Sequence, residues 1–183
     1  REIFSAKGAS MIIRKNMFER LGGFDEKFFF SFEDVDLSWR VRTLGYKVVV
    51  IPNSIVYHLG GKTTHEISSA ISFHGLKNQL SMKITNFESR LVWRVLLTFF
   101  CKYGIRELKI WFDYAFKGKT AICATEYEEK IAMKPNICAI FKSLVWLIIN
   151  ANYLSRKHKQ VNKTRMVSTN DLKKLGVISK IPH

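Results

Sequence analysis

The sequence predicts an α/β unit over residues 1–66, followed by a mainly helical, basic region over residues 67–183. Three observations lead there. A helical pattern from Glu33 to Leu44 runs straight into the valine-rich stretch Tyr46–Ile51, a succession of helix and strand that marks an α/β layer. After His65 the apolar spacing becomes helical over long stretches. The hydrophobic fraction of 47% against 25% charged is that of a chain with a core to bury.

Taken in order, residues 8–14 (Gly-Ala-Ser-Met-Ile-Ile-Arg) read as a short strand ending at a basic residue. Asn16 is placed to cap a helix Met17–Leu21, and Gly22 suits the left-handed position after it. Gly23 loosens the backbone before Phe24 and Asp25, and Phe28-Phe29-Phe30 offers bulk to pack beneath this loop. The helix Glu33–Leu44 places Val35, Leu37, Trp39, Val41 and Leu44 at its apolar positions, with Gly45 closing it. Tyr46–Ile51 is the strongest strand pattern; Pro52-Asn53-Ser54 turns it, and Ile55-Val56-Tyr57 is a second short strand leading to His58. Ser68–Phe87, Leu91–Tyr103 and Ile105–Phe116 follow with helical spacing, and Pro135 breaks the chain. Ile137–Leu154 is apolar with a single charge, Lys142. Its length falls just short of the roughly 20 residues that cross a bilayer, so a buried or interfacial amphipathic helix is expected, with a spanning helix as the alternative.

The formal net charge is +15, from 30 Lys and Arg against 15 Asp and Glu, which favours phosphate-rich partners. The basic residues crowd behind the last apolar stretch, in Arg156-Lys157-His158-Lys159 and Lys163-Thr164-Arg165. That arrangement suits peripheral contact with the cytoplasmic face of a membrane. No stacking motif or recognition-helix signature points to nucleic acid. Cys101, Cys123 and Cys138 include no Cys-x-x-Cys pair, which argues against structural zinc and for packed thiols in a reducing cytosol. The chain opens at Arg1 with no charged segment leading into an apolar run, so no signal peptide is expected and the sequence reads as a fragment of a longer protein.

The chemistry-bearing residues cluster between positions 22 and 65. Gly22-Gly23-Phe24-Asp25-Glu26 is followed by Glu33-Asp34-Val35-Asp36, by Arg40, and then by His58-Leu59-Gly60-Gly61-Lys62. Ser31-Phe32-Glu33-Asp34 also fits a capping box, with acids favoured by the helix dipole. Asp36 and Arg40 stand four apart, where an ion pair forms easily. Asp25 after two glycines fits an Asx-turn. His58 could be a polar cap at a strand end or one metal ligand among oxygens.

These motifs and their spacing resemble the second half of the catalytic domain of family 2 glycosyltransferases, the inverting enzymes of the GT-A fold, over roughly residues 6–86. The resemblance implies the acceptor-side half of a GT-A domain, with a nucleotide-sugar donor and a glycan or lipid-linked acceptor. Asp34, the second acid of the Glu-Asp pair, would be the base that takes the acceptor hydroxyl's proton, a role open to a carboxylate that is ionised at neutral pH yet partly desolvated. Asp25, Glu33 and Asp36 would lie on the acceptor side, with Arg40 supporting the acids. His58 would be a ligand to a divalent metal, Mn or Mg, and Lys62 would sit in a loop able to touch the donor diphosphate. Phe73-His74-Gly75-Leu76-Lys77-Asn78 resembles the family's helix after the catalytic loop, with Lys77 where Arg is commoner, so the charge is kept without the bidentate fork. No Asp-x-Asp metal motif precedes these residues, so the fragment by itself is expected to be inactive. Many related enzymes work in the cytoplasm at the inner face of the cell membrane. The competing reading is a basic membrane- or polymer-binding module whose acids only cap helices.

Overall fold

The computed structural model describes residues 1–58, 68–117, 121–124, 130–133 and 137–176. Seven helices and one pair of strands are found among them. In chain order these are α1 (Lys15–Arg20), α2 (Glu33–Thr43), α3 (Ser68–Asn86), α4 (Ser89–Lys117), β1 (Ala121–Ala124), β2 (Lys130–Met133), α5 (Ile137–Ile149), α6 (Ala151–Lys163) and α7 (Thr169–Lys174). The strands β1 and β2 pair antiparallel, Ala121 opposite Met133.

The expected α/β class is not confirmed among the described residues. Residues 8–14 form a turn and an irregular segment rather than a strand. The valine run makes a single antiparallel bridge, Glu2 opposite Val49, flanked by Ile3 N–H to Val48 O at 3.0 Å and Val50 N–H to Arg1 O at 2.8 Å. Ile55, Val56 and Tyr57 are exposed and belong to no strand among the described residues. Valine-rich patterning specifies a strand only where a neighbour completes the ladder and a packed layer covers a face. Here Val49, Val50 and Ile51 remain exposed.

Helix α2 is the central post. Its first turn carries Glu33, Asp34 and Asp36 and its last turn Arg40 and Arg42, charges set correctly for the helix dipole. Gly45 ends it at φ +84°, as its position predicts. From Asp36 to Thr43 every residue is buried. Such a helix needs partners for its buried charges, and the Nη atoms of Arg40 and Arg42 find theirs, while Arg42 Nε is buried with no hydrogen-bond partner among the described residues. Arg42 bonds Glu2 and the carbonyls of Ile3 and Val48. Arg40 donates to the carbonyls of Leu21 (2.7 Å) and Gly23 (2.8 Å), holding the glycine turn after α1, where Gly22 and Gly23 sit at φ +75° and +68°. Helix α1 starts at Lys15 after Arg14, with no side-chain cap, so Asn16 lies inside it instead of capping it.

The core spans both sides of residue 66. Trp39 packs edge-on against Phe4 (5.4 Å) and Phe87 (4.8 Å), in a cluster with Phe28, Met82, Val95 and Leu172. A second cluster joins Leu76 and Leu80 of α3 to Phe99 of α4, with Ile140 and Leu147 of α5 against it. The two helical patterns after residue 88 form one helix, α4. Ile137–Leu154, in contrast, is not one helix: α5 and α6 meet at Asn150 with a bend of 70°. No single described helix is long and apolar enough to cross a membrane. Cys101 and Cys138 are exposed, contrary to the expectation of packed thiols.

Candidate active site

The loop from Gly22 to Phe32 delivers the acids. Asp25 accepts from Lys27 N–H at 3.0 Å, the Asx-turn its sequence suggested, and Phe28 then plunges into the core. Two consecutive non-glycine residues, Ser31 (φ +71°) and Phe32 (φ +69°), follow in the left-handed region. Conformations of this kind cost of order 1 kcal/mol or more each and persist only when surrounding contacts impose them. The fully buried Asn78 of α3 imposes this one. Its Nδ2 donates to Phe30 O at 2.6 Å and Ser31 O at 2.8 Å, while Lys77 Nζ donates to Lys27 O at 2.6 Å. The Lys77-Asn78 pair therefore braces the loop that introduces α2. The expected capping box does not form: the N-cap is Phe32, which has no side-chain acceptor.

Asp34 stands half-buried in the first turn of α2. Its Oδ2 accepts the Gly8 N–H at 2.7 Å and its Oδ1 the Val35 N–H at 2.7 Å. A Cβ built on Gly8 would lie 3.5 Å from Asp34 Oδ2, so Gly8 belongs to a turn that packs closely over this carboxylate. Glu33 is half-buried beside it, and its Oε2 is buried with no hydrogen-bond partner among the described residues.

Asp36 is fully buried behind them. Its Oδ2 takes Arg40 Nε at 2.9 Å and Nη2 at 2.8 Å, and its Oδ1 takes Asn86 Nδ2 at 2.6 Å. Lys157 Nζ lies 4.0 Å from Asp36 and also pairs with Asp25, which receives the Tyr153 hydroxyl as well. Burial pushes the Asp25 carboxyl up, but the bonds from Lys157 and Tyr153 outweigh it and hold the group below its ordinary range. Burial and the same Asp25 charge push the Tyr153 hydroxyl up, keeping it a donor. Asp25, Asp36, Arg40 and Lys157 thus form a charge-balanced set, with Tyr153 and Asn86 as neutral donors. A small recess at its back is lined by Arg20, Arg40, Lys157 and Gln160.

The sequence-predicted residues accordingly fall into two groups. Asp34 and Glu33 lie near the surface, whereas Asp25, Asp36 and Arg40 interlock beneath. Lys157, Tyr153 and Asn86 were not anticipated as their partners. Lys157 belongs to the run read as a membrane-facing basic stretch, and His158 beside it bonds Ile84 O at 2.7 Å, so part of that run faces inward. His58 is exposed at the end of its segment, and Lys62 lies outside the described residues. Among the described residues no group of three His, Cys, Asp or Glu side chains could hold a metal ion.

Residues 1–98, more than half of the chain, match the family described as "Glycosyltransferase like family 2". The match supports a GT-A fold for this part of the chain. The chain is also similar to "N-acetylglucosaminyl-diphospho-decaprenol L-rhamnosyltransferase" of Mycobacterium tuberculosis, in strains CDC 1551 / Oshkosh and ATCC 25618 / H37Rv. In each case 32% of 68 residues are identical, covering 37% of this chain and 22% of the relative. The chain thus spans about a fifth of the length of the curated relatives it matches. No solved structure matches. The motifs around Asp34 and the match over residues 1–98 give one answer: this chain belongs to the glycosyltransferase-like family 2.

Proposed function

We propose that this chain forms the acceptor-side part of an inverting glycosyltransferase, which moves a sugar from a nucleotide-sugar donor to an acceptor hydroxyl in glycan assembly. The observation that carries the reading is the placement of Asp34: a half-buried carboxylate at the start of α2, fixed by Gly8 and Val35 N–H groups and offered by a braced loop. In the reaction, Asp34 accepts the proton of the acceptor hydroxyl as that oxygen bonds the anomeric carbon. The bond from that carbon to the diphosphate breaks on the opposite side, its electron pair leaves with the nucleoside diphosphate, and the configuration inverts. Glu33, with one oxygen unpaired, is the second group on the acceptor side. Asp25, Asp36 and Arg40 act from beneath, holding the loop and helix in register. Lys62 belongs to the reading as a contact to the donor diphosphate.

A divalent cation, Mn or Mg, with His58 as a ligand is part of the same reading. The described residues do not by themselves fit such an ion: His58 is one exposed imidazole, and hard cations need several oxygens. No step above runs through it. The matched relatives are named for a diphospho-decaprenol acceptor, which supports a lipid-linked acceptor here; a place at the cytoplasmic face of the cell membrane is part of the same proposal. The test is Asp34→Asn in the active enzyme, followed by release of nucleoside diphosphate. Turnover should fall by at least about 10² with donor affinity little changed. Near-normal turnover would remove Asp34 from the mechanism.

A further inference from the structure

We propose that the outward face of α4 is the surface by which this protein lies on an anionic bilayer, in the plane of the headgroups. This deepens the membrane contact of the proposed function by naming the surface, and it rests on that reading.

Helix α4 has two apolar faces. One carries the buried Val95, Phe99 and Ile110. The other carries Trp93, Leu97, Ile105, Leu108 and Phe116, each between 67% and 79% exposed, together with the half-exposed Trp111. At 3.6 residues per turn these six fall within an arc of about 140°, and the two tryptophans stand about 27 Å apart along the axis. Folding of the described residues leaves that stripe uncovered. Isolated exposed apolar groups are ordinary, but a continuous row of this length marks a binding surface.

Charge selects the occupant. Helix α4 has six Lys and Arg (Arg90, Arg94, Lys102, Arg106, Lys109, Lys117) against Glu107 and Asp113, a net of +4. Arg90, Arg94, Lys102 and Lys109 are exposed, within or beside the stripe. A second copy of a chain with net charge +15 would bring these cations against their own kind. The arc is also wider than the narrow seam of paired helices. An anionic bilayer satisfies both halves of the surface: aromatic and aliphatic groups enter the headgroup boundary while cations meet lipid phosphates. Tryptophan is favoured at that boundary, having an apolar body and a polar N–H. The cations along α4 keep it from crossing, in accord with the absence of a spanning helix among the described residues.

The experiment is co-sedimentation of this chain with phosphatidylcholine vesicles, with and without added phosphatidylglycerol, comparing wild type with Leu97→Glu/Leu108→Glu. Both leucines are exposed, and unchanged circular dichroism verifies the fold. Wild type should bind the anionic vesicles at least about tenfold more tightly than the neutral ones, and the double variant should lose at least about tenfold. A blue shift of tryptophan fluorescence on binding should vanish in Trp93→Phe/Trp111→Phe. If the double variant binds within about twofold of wild type, or if Phe141→Glu/Ile148→Glu on α5 abolishes binding instead, the assignment to α4 falls and the membrane contact itself stands. If wild type binds neither vesicle, both fall. A dimer that the α4 variant dissolves, with no vesicle binding, would make the face a contact between copies. None of these outcomes bears on Asp34→Asn, so sugar transfer is judged separately.

Discussion

Lys157 of α6 and Asp25 of the glycine loop, 132 residues apart in sequence, form an ion pair that is almost completely buried on the aspartate side. The pair ties the last third of the chain to the turn in front of α2, and Tyr153, one helical turn before Lys157, donates to the same carboxylate.

Breaking this pair from one side should be expensive. Asp25→Asn or Lys157→Met alone should each lower stability by about 3–5 kcal/mol, because the remaining charge is left buried without its partner. The double variant should be more stable than the sum of the two single losses predicts. Urea denaturation of the four proteins measures that coupling, and strict additivity would mean that the two residues act independently.

Acid should weaken the protein in two stages. Burial, reinforced by the Lys77 charge, holds the His74 imidazole below its ordinary value. The folded state therefore favours the neutral ring, and its contribution is complete above about pH 6.5 and declines below it. Asp25 is also held low, so its contribution is complete above about pH 3.9 and is lost as pH falls through its folded value. Denaturant midpoints should thus drop between neutral pH and pH 5, and again below pH 4. His74→Gln should remove the first drop alone; an unchanged first drop would assign it elsewhere.

Asn78→Ala tests the brace on the loop. It removes both bonds that hold Phe30 and Ser31 carbonyls and leaves the left-handed Ser31–Phe32 backbone unsupported. A loss of about 2–3 kcal/mol is expected, with a fall in turnover larger than the change in donor affinity. Wild-type turnover in a destabilised protein would show that the brace serves stability alone.

His58→Ala should raise the concentration of Mn²⁺ or Mg²⁺ needed for half-maximal turnover in the active enzyme. An unchanged metal titration would leave His58 as an exposed end of its segment and nothing more.

What could be read from the sequence was local. Helix α2, its dipole-matched charges, its ending at Gly45, and the Asp36–Arg40 pair follow from spacings of one to four residues. The partners of Asp25 did not, because nothing near Lys157 distinguishes it from Arg156 or Lys159, which stay exposed. Lys157 faces inward where α6 packs against α3 and α5. The strand at Tyr46–Ile51 failed for a related reason: its residues suit a sheet, but a sheet is made by lateral neighbours. The break at Asn150 is held partly from nearby and partly from across the chain. Its side-chain amide donates to Trp146 O at 2.9 Å and its Oδ1 accepts Lys27 Nζ at 2.9 Å, so the residue is anchored at the bend.

The long reach of Lys157 also sets an order of events during synthesis. When Asp25 is added to the growing chain, the groups that neutralise it have not yet been made. At translation rates of roughly 5–20 residues per second, the 132 residues that follow take about 7 to 26 s. Within that interval Arg40, Lys77 and Asn78, whose bonds hold the loop, are made, and Asp25 gains its neutralising partner only after α6 has been synthesised. A nascent chain halted before Tyr153 would leave Asp25 hydrated and without the two groups that bond it in the finished fold.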